Sequence, residues 1–566
     1  MTSVGSSSQA AGPTLRYLAP FDTRRIPRLE TGVLVIGSGV AGLRAAIEAA
    51  QHTTVILATK GALSESNSDW AQGGIAAAMG PPDSAARHAA DTIAVGAGLC
   101  DHPVVDAITG AAKDAIDELV AWGARFDRDE SGALAGTFEG GHSHPRVRHA
   151  RGDSTGAEIV ATLISTADRA GQLRILEHAY VIDLVSDGEG RCRGALLFTR
   201  HGEFQLVEAD ATVLATGGLG RMFRDSTNPS VATGDGVAMA YRAGAVVSDI
   251  ELVQFHPTTL YLAGAPRALI TEALRGEGAQ LRNAAGERFM VGVHPDAELA
   301  PRDVVSRAIL EEMRRSGEAY VHLDLRHLDH ARVLARFPRI AALVRTFALD
   351  VATDMLPVRP SAHYAIGGVE ADLDGRTSVP RLLAAGEAAA TGFHGANRLG
   401  SNSLLEGLVT GRRAGATAAT LAAGEPLGAG FEMRWTRADE GAAGRIDMDD
   451  LESSLLGTMW RQVGIVRAGE RLLAARRQIE FWGRYVWQRT FLNPAGWSLQ
   501  NMLSLGWLIS HAALSREESR GVHWREDYPR AAAVAKHSRV AREAPDVRWR
   551  AVRERDPVAT ASGDVA

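Results

Sequence analysis

The chain has 566 residues and a mass of 60.1 kDa, which at about 150 residues per domain predicts three or four structural units. Its 61 basic and 67 acidic residues leave a net charge of -6, and this near balance argues against a nucleic-acid or polybasic membrane surface. The two cysteines, Cys100 and Cys192, are too few for a disulfide framework or an iron–sulfur cluster. No run of about 18 charge-free apolar residues occurs, so we expect a cytoplasmic protein without a membrane span or a metal site.

The first strong signal follows an N-terminal stretch, residues 1–30, that lacks the apolar core of an export signal and predicts a disordered leader. From residue 31, TGVLVIGSGVAGLRAAIEAA predicts a buried strand, a glycine turn and a helix, the start of a Rossmann-type unit. Gly37, Gly39 and Gly42 form a G-x-G-x-x-G fingerprint there, with a helix N-terminus facing a pyrophosphate. The context favours a dinucleotide site over a turn that only packs.

Lys60 ends the next predicted strand, residues 54–58. Between Glu48 and Glu65 no acidic residue is present to hold a ribose hydroxyl pair. Only three residues of the whole chain are lysines. We therefore interpret the Lys60 ammonium as a phosphate or ribose contact rather than as a solvated turn residue.

The later pattern divides the chain into domains. Strand and helix signals alternate to ATVLATGG near residue 215 and return at PRLLAAGEAA near residue 380, which predicts a discontinuous dinucleotide-binding domain at 31–250 and 365–434. Between them, helical PRDVVSRAILEEMRR and strand-like VHLDL predict an inserted capping domain at 251–364. Eight of the ten tryptophans lie beyond residue 434, where helical spacing predicts a C-terminal helical domain at 435–545 and a frayed tail at 546–566.

The expected fold class is thus an α/β Rossmann-like domain, discontinuous, with an inserted α+β capping domain and a C-terminal helical bundle. A single fingerprint predicts one dinucleotide, and NAD and FAD both remain open at this point. Three further glycine-bearing segments, SNSDWAQGGIAAA, ATGDGVAMA and AAGEAAATG, exceed what NAD needs. The pair Gly73 and Gly74 would let backbone lie against a flat flavin ring, which favours FAD.

Together with GSGVAGL, these segments and QFHPT, LITEALRGEG, PRDVVSRAI, HYAIGGV, GANRLGSNSLLEG and ESRGVHWREDYP run in a characteristic order from residue 33 to about residue 529. In this order they resemble the flavoprotein family of succinate dehydrogenase, fumarate reductase and L-aspartate oxidase. The resemblance implies FAD and hydride transfer between a substrate carbon and the flavin. The FAD-binding residues that it implies are Gly37, Ser38, Gly39, Val40, Ala41, Gly42, Lys60, Asn67, Ser68, Asp69, Trp70, Ala71, Gln72, Gly73, Gly74, Asp235, Glu387, Ser403 and Leu404.

The same motifs predict a dicarboxylate site. A doubly charged substrate needs several fixed cations and hydrogen-bond donors. The resemblance assigns the proton-handling role to Arg302, and it assigns substrate binding to His256, Thr271, Glu272, His363 and Arg398. Taken singly, each arginine would be interpreted as a surface ion pair and each histidine as a structural residue.

Two features separate the branches of the family. No histidine lies between His52 and His88, the region where the respiratory dehydrogenases link FAD covalently, so FAD is expected to bind non-covalently. FEGGHSHPRVRHA, residues 138–150, resembles the loop of the aspartate-oxidising branch, and there Glu139 would pair with a substrate ammonium. The alternative for Glu139 is an exposed loop glutamate.

The expected activity is therefore oxidation of L-aspartate to iminoaspartate, with oxygen or fumarate as electron acceptor and hydrogen peroxide as the product from oxygen. In the family this is the first step of NAD biosynthesis through quinolinate, with hand-off to quinolinate synthase. The alternatives are a soluble fumarate reductase or succinate dehydrogenase-type flavoprotein, and an electron-transferring subunit that works only with iron–sulfur and membrane partners.

Overall fold

The computed structural model describes residues 12–13, 15–262, 267–424, 427, 430–436 and 446–555. Its strands are β1 (Phe21–Asp22), β2 (Arg28–Ile36), β3 (Val55–Ala58), β4 (Ile75–Ala76), β5 (Val147–Arg148), β6 (Leu173–Leu176), β7 (Tyr180–Ser186), β8 (Cys192–Phe198), β9 (Phe204–Leu214), β10 (Val247–Ser248), β11 (Val253–Leu260), β12 (Gln280–Arg282), β13 (Val321–Asp324), β14 (Leu356–Ala365), β15 (Gly368–Glu370), β16 (Leu382–Ala384), β17 (Ala389–Ala390), β18 (Arg434–Trp435), β19 (Val466–Arg467), β20 (Trp524–Arg525), β21 (Lys536–Ala541) and β22 (Ala544–Ala551).

The α-helices are α1 (Val40–Ala49), α2 (Ala85–Val95), α3 (His102–Gly110), α4 (Ala112–Trp122), α5 (Thr155–Ala167), α6 (Asp235–Arg242), α7 (Glu272–Gly276), α8 (Arg302–Ser316), α9 (His330–Arg336), α10 (Pro338–Arg345), α11 (Asn402–Ala423), α12 (Met448–Gln462), α13 (Gly469–Val486) and α14 (Pro494–Ser515). Among the residues described, none of these helices has the length and apolar character needed to cross a bilayer.

The FAD-binding domain is built on a seven-stranded sheet in the order β6–β3–β2–β9–β8–β7, with β16 paired to the end of β9. Strands β6, β3, β2, β9 and β16 run parallel, and β3 and the second half of β2, residues 33–36, are apolar and buried, as parallel strands usually are. Helices α1 and α11 pack against each other, and both contact this sheet. A Cβ at Gly411 or Gly415 would lie 2.4 Å from a carbonyl oxygen of α1, so these two glycines allow the helices to touch.

The capping domain is an antiparallel sheet in the order β11–β14–β13–β12, against which α8 packs. Its apolar core lies wholly between Leu260 and Val358. Because β11 pairs with β14, the chain enters and leaves the insertion on neighbouring strands. The predicted fold class is confirmed, since α12, α13 and α14 also form the helical C-terminal unit.

The C-terminus departs from the predicted frayed tail. Strands β21 and β22 form a hairpin that joins β10, β15 and β17 in one sheet, so the chain stays ordered through Ala551. Charged residues of the predicted tail are instead ion-paired to the FAD-binding domain: Arg550 binds Asp101 at 2.8 Å and Arg555 binds Asp106 at 2.7 Å.

The prediction of a disordered leader over residues 1–30 is also wrong for the second half of that range. Tyr17, Leu18 and Ala19 are buried in a cluster that includes Trp497, and the Leu18 N–H donates to the Asp183 carboxylate at 2.6 Å. Strand β2 begins at Arg28 rather than after residue 30. Residues 1–11 and 14 lie outside the described residues.

A buried histidine ties the C-terminal hairpin to the FAD-binding domain. The His537 ring lies between Asp249, at 2.5 Å from Nδ1, and Asp101, at 3.4 Å from Nε2. Burial opposes a charge on His537, but the two carboxylates outweigh burial and raise its pKa to about 9. The stabilisation is therefore fully present below about pH 6.5, the ordinary value, and is lost as pH rises through about 9.

We expect His537→Gln to lower the free energy of unfolding by about 3 kcal/mol at pH 6, because it removes the cation that lies between two buried carboxylates. The difference from the unmodified protein should shrink toward pH 10. Urea unfolding of both proteins at the two pH values measures it, and the exposed His52→Gln is the control. An equal loss at both pH values would mean that His537 acts by packing alone.

Candidate active site

A cavity of about 850 Å³ opens at the carboxyl ends of the parallel strands. Ser38, Thr59, Thr216 and Ala385, which line it, follow β2, β3, β9 and β16 respectively. Ligands of open α/β sheets bind at this edge. Residues of the capping domain close the other side, so the cavity lies between the two domains.

The three fingerprint glycines are required for different reasons. Gly37 has φ of +111°, and a Cβ there would lie 2.1 Å from the Ala215 carbonyl oxygen. A Cβ at Gly42 would lie 1.9 Å from the Gly37 carbonyl oxygen. At Gly39, by contrast, only the Ser68 hydroxyl comes within 4 Å, at 3.3 Å. The chain itself needs Gly37 and Gly42, whereas Gly39 leaves room for a ligand at the N-terminus of α1.

This difference predicts a selective loss of cofactor. Gly39→Val should lower FAD affinity by at least about 100-fold, because its side chain would occupy the space of the ligand, while the apoprotein keeps its unfolding midpoint. Gly37→Val should instead destabilise the apoprotein. Equilibrium dialysis of FAD and thermal unfolding of both apoproteins check this, and full FAD affinity in Gly39→Val would contradict it.

Lys60 and Asp235, which were both predicted from the sequence to bind the cofactor, line the cavity as a pair. The Lys60 ammonium contacts the Thr233 hydroxyl and the Asp235 carboxylate, each at 2.9 Å. Burial alone would raise the pKa of Asp235, but Lys60 and hydrogen bonds from Thr233 and Asn501 hold it below its ordinary value. The result is a fixed pair with one cation and one acceptor beside the fingerprint.

The segment that precedes Gly73 supplies polar groups without partners. Asn67 Nδ2 donates to Glu387 at 3.1 Å, but Asn67 Oδ1, Gln72 Oε1 and Thr216 Oγ1 are buried and have no hydrogen-bond partner. Burial also raises the pKa of Glu387 to about 7. Unpartnered buried polar atoms are costly, so these groups fit a bound polar ligand along this wall.

At the far end of the cavity two buried guanidinium groups share one acceptor. Arg302 Nη1 and Arg398 Nε donate to Gln254 Oε1 at 3.3 and 3.2 Å, and Arg302 Nε also donates to Glu272 at 2.6 Å. Burial and the charge of Arg302 lower the pKa of Arg398 to about 9. Two confined cations in such proximity favour an anionic ligand between them.

Two histidines complete this end. The His256 and His363 ring centroids are 5.2 Å apart, and His363 Nδ1 lies 2.9 Å from the Thr227 hydroxyl. Burial and the neighbouring arginines hold the pKa of both rings well below the ordinary value. They are therefore neutral hydrogen-bond donors rather than cations. Thr271 caps α7 by accepting from the Ala273 N–H, which leaves its hydroxyl proton free for the cavity.

Glu139 is buried rather than exposed. Ser401 Oγ donates to Glu139 Oε2 at 2.8 Å, while Oε1 has no hydrogen-bond partner. Burial raises the pKa of Glu139, and the neighbouring Glu272 carboxylate raises it further. A cationic donor would therefore stabilise the ionised form of Glu139. Among the described residues no lysine or arginine lies within ion-pair distance of it, and His149 Nε2 lies 3.7 Å away.

Comparisons with known proteins identify this arrangement. Residues 32–404 match the family described as "FAD binding domain", and residues 452–559 match "Fumarate reductase flavoprotein C-term". The chain is 45% identical over 516 residues to the L-aspartate oxidase of Streptomyces coelicolor, with 88% of each chain covered. It is 42% identical to L-aspartate oxidase 1 of Ralstonia nicotianae, with 88% of this chain and 95% of that one covered. The chain belongs to the L-aspartate oxidase family.

A solved structure of E. coli quinol fumarate reductase shares the fold of this L-aspartate oxidase family member, with a TM-score of 0.86 and 31% identity over 94% of this chain and 98% of that chain. FAD is thus the dinucleotide of the cavity, and the choice between NAD and FAD is resolved. The open space at Gly39 and the unpartnered atoms along the wall fit that cofactor.

The predicted residues of this family member converge on one cavity. Arg302 and all the predicted substrate residues line it. The predicted FAD residues that line it are Gly37, Ser38, Gly39, Val40, Ala41, Lys60, Asn67, Ser68, Trp70, Ala71, Gln72, Gly73, Gly74, Asp235, Glu387, Ser403 and Leu404. Gly42 and Asp69 do not line it: Gly42 packs the turn, and the Asp69 N–H donates to Ser66. Gly74 is required by β5, since its Cβ would lie 2.3 Å from Val147.

Three residues at the substrate end were missed by the sequence argument. Gln254 accepts hydrogen bonds from both arginines, and Ser401 donates one to Glu139. Arg275 Nη2 lies 3.6 Å from Glu272 Oε1, while Arg302 bonds the other oxygen of that carboxylate. Gln254 stands two positions before His256 in a strand, and this spacing places both on one face. That alternation was the available signal for Gln254.

Proposed function

We propose that this protein oxidises L-aspartate to iminoaspartate, with oxygen or fumarate as the final electron acceptor. The observation that carries the proposal is the buried Glu139 carboxyl, with one unpartnered oxygen, in the cavity that Arg302 and Arg398 also line. L-Aspartate has two carboxylates and one ammonium, which match two cations and one acceptor. Succinate lacks the ammonium and would leave Glu139 unpaired.

The chain's own residues bind and orient the substrate. Arg302 and Arg398 bind carboxylate, the neutral rings of His256 and His363 donate hydrogen bonds, and Glu139 accepts from the ammonium. When bound, FAD supplies the hydride acceptor and is returned to its oxidised form by oxygen, giving hydrogen peroxide, or by fumarate. Orientation is the main contribution of the clamp, because hydride transfer needs the donor carbon within about 3 to 3.5 Å of its acceptor.

Arg302 is placed to take part in proton transfer. It donates to Glu272 at 2.6 Å, and Arg275 lies 3.6 Å from the other oxygen of that carboxylate. Burial alone would raise the pKa of Glu272, but Arg302 and Arg275 lower it below its ordinary value. We propose that this line of three ionisable groups carries a proton of the substrate ammonium away from the cavity, while the hydrogen on the α-carbon leaves as the hydride.

Binding of FAD is proposed to be non-covalent, since among the described lining residues the only histidines, His256 and His363, lie at the substrate end. Acid precipitation of the purified holoprotein should leave all yellow colour in the supernatant. Peroxide formation is then assayed with L-aspartate, D-aspartate and succinate. Yellow colour in the pellet would refute non-covalent binding, and turnover of succinate without L-aspartate would favour a fumarate reductase-type enzyme instead.

We propose a cytoplasmic enzyme, consistent with two buried, unpaired cysteines, whose product passes to quinolinate synthase for NAD biosynthesis. Mixing both enzymes with L-aspartate and the three-carbon co-substrate that quinolinate requires should give more quinolinate than adding quinolinate synthase and that co-substrate to iminoaspartate first incubated in buffer.

A further inference from the structure

Helix α10 of the capping domain lacks a cap from its own domain. Its N-cap residue, Phe337, makes no side-chain hydrogen bond to the helix. The preceding helix, α9, is capped within the domain by Asp329, which accepts from the Arg332 N–H at 3.2 Å. The first turn of α10 therefore takes its acceptor from elsewhere.

That acceptor is Asp153 of the FAD-binding domain. Its two carboxylate oxygens accept from the Arg339 and Ile340 N–H groups at 3.3 and 3.1 Å, and its side chain is buried. A carboxylate at a helix N-terminus also interacts favourably with the helix dipole. Asp153 thus bonds the two domains through the end of a helix.

The approach of the two backbones at this point is close. Gly152 has φ of +71°, and a Cβ there would lie 2.5 Å from the Arg336 carbonyl oxygen at the end of α9. A larger residue would push the capping domain away. Contact at Gly152 is independent of the Asp153 hydrogen bonds and marks the same junction.

The junction is connected to the active site on both sides. Ala342, Leu343 and Thr346, in and after α10, line the cavity. On the other side, Asp153 ends the segment that begins with Glu139 and includes β5. Opening of the capping domain would break both Asp153 hydrogen bonds and withdraw α10 from the cavity wall.

We infer that Asp153 is a positioning residue that latches the capping domain closed over the flavin, by capping α10 across the domain boundary. Loss of an N-cap costs about 1 kcal/mol, so removal of the carboxylate should raise the open population about fivefold. The latch concerns cap closure and does not depend on which dicarboxylate is oxidised.

The test uses the full-length, FAD-loaded protein without substrate. Asp153→Ala should raise amide exchange throughout 338–346 and in the facing segment 137–152, and should increase iodide quenching of flavin fluorescence about fivefold. Asp153→Asn retains one acceptor oxygen, so its amide exchange and its flavin quenching should lie between those of the unmodified protein and Asp153→Ala. The matched control, Asp329→Ala, removes a cap inside the same domain and should raise exchange in α9 without changing quenching.

Kinetics provide a second readout, which rests on the proposed function. If L-aspartate is the substrate, Asp153→Ala should raise KM by less than the fivefold rise in the open population, because the closed form stays the major one, with kcat unchanged or higher. Increased exchange confined to 338–341, with quenching unchanged, would overturn the latch, and so would equal quenching in Asp329→Ala. These outcomes do not depend on turnover, so failure of the proposed function is distinguishable from failure of the latch.

Discussion

Arg302→Leu is expected to lower kcat with L-aspartate about 10³-fold while the protein retains its full complement of FAD. Arg302 contacts Glu272 and Gln254 at the substrate end of the cavity, and neither contact involves the fingerprint that binds the dinucleotide. Leucine removes both the cation that binds substrate and the proton-transfer link to Glu272. In the unmodified protein the Glu272 carboxylate is paired with Arg302. In Arg302→Leu this carboxylate has lost that partner and repels an anionic substrate, which should also weaken substrate binding.

The measurement is single-turnover reduction of the flavin by L-aspartate, with FAD content read from the absorbance of the purified protein. A matched control lies on the same helix: Arg314 is largely exposed and pairs with Glu311, so Arg314→Leu should retain activity. Apoprotein in Arg302→Leu would show that the arginine is structural. Turnover within about tenfold of the unmodified enzyme would exclude Arg302 from the chemistry.

Glu139→Gln is expected to lower kcat/KM for L-aspartate about 100-fold and to leave succinate turnover unchanged or higher. A buried carboxylate paired with an ammonium loses a charge-assisted interaction of about 3 kcal/mol when it becomes an amide. Glutamine keeps the size of the side chain and can still accept from Ser401. Succinate has no ammonium and therefore loses nothing.

The ratio of kcat/KM for L-aspartate to that for succinate isolates this effect, because changes in folding or FAD content cancel in it. Glu130→Gln, at an exposed position upstream in the same region, is the control and should leave the ratio unchanged. An unchanged ratio in Glu139→Gln would assign the ammonium to another group.

Much of the FAD-binding domain was predictable because its signals are local. The β2–glycine–α1 unit, the return of the chain at β16 and the inserted domain each have a distinct sequence pattern, and the structure confirms them. The C-terminal hairpin was not predictable in the same way. Strand β22 alternates apolar residues with arginines only over the short stretch Val547–Ala551, and it is held by ion pairs such as Arg550–Asp101 between residues far apart in sequence.

The site shows the same limit. The sequence motifs predicted that Arg302, His256 and Arg398 share one site, but they did not predict the contacts among these residues. Gln254 is an ordinary strand residue until the fold brings Arg302 and Arg398 to its side-chain oxygen. The burial of Glu139 could not be predicted from its polar, glycine-rich loop either, because Glu139 is held by Ser401, the N-cap residue of α11, which is distant in sequence.

The most direct test of the proposed reaction is anaerobic mixing of the purified, FAD-loaded protein with one substrate at a time. We expect L-aspartate to bleach the yellow flavin absorbance within one turnover and D-aspartate and succinate to leave it unchanged on that timescale. Admission of oxygen should then restore the colour with one hydrogen peroxide formed per flavin. Bleaching by succinate but not by L-aspartate would contradict the account.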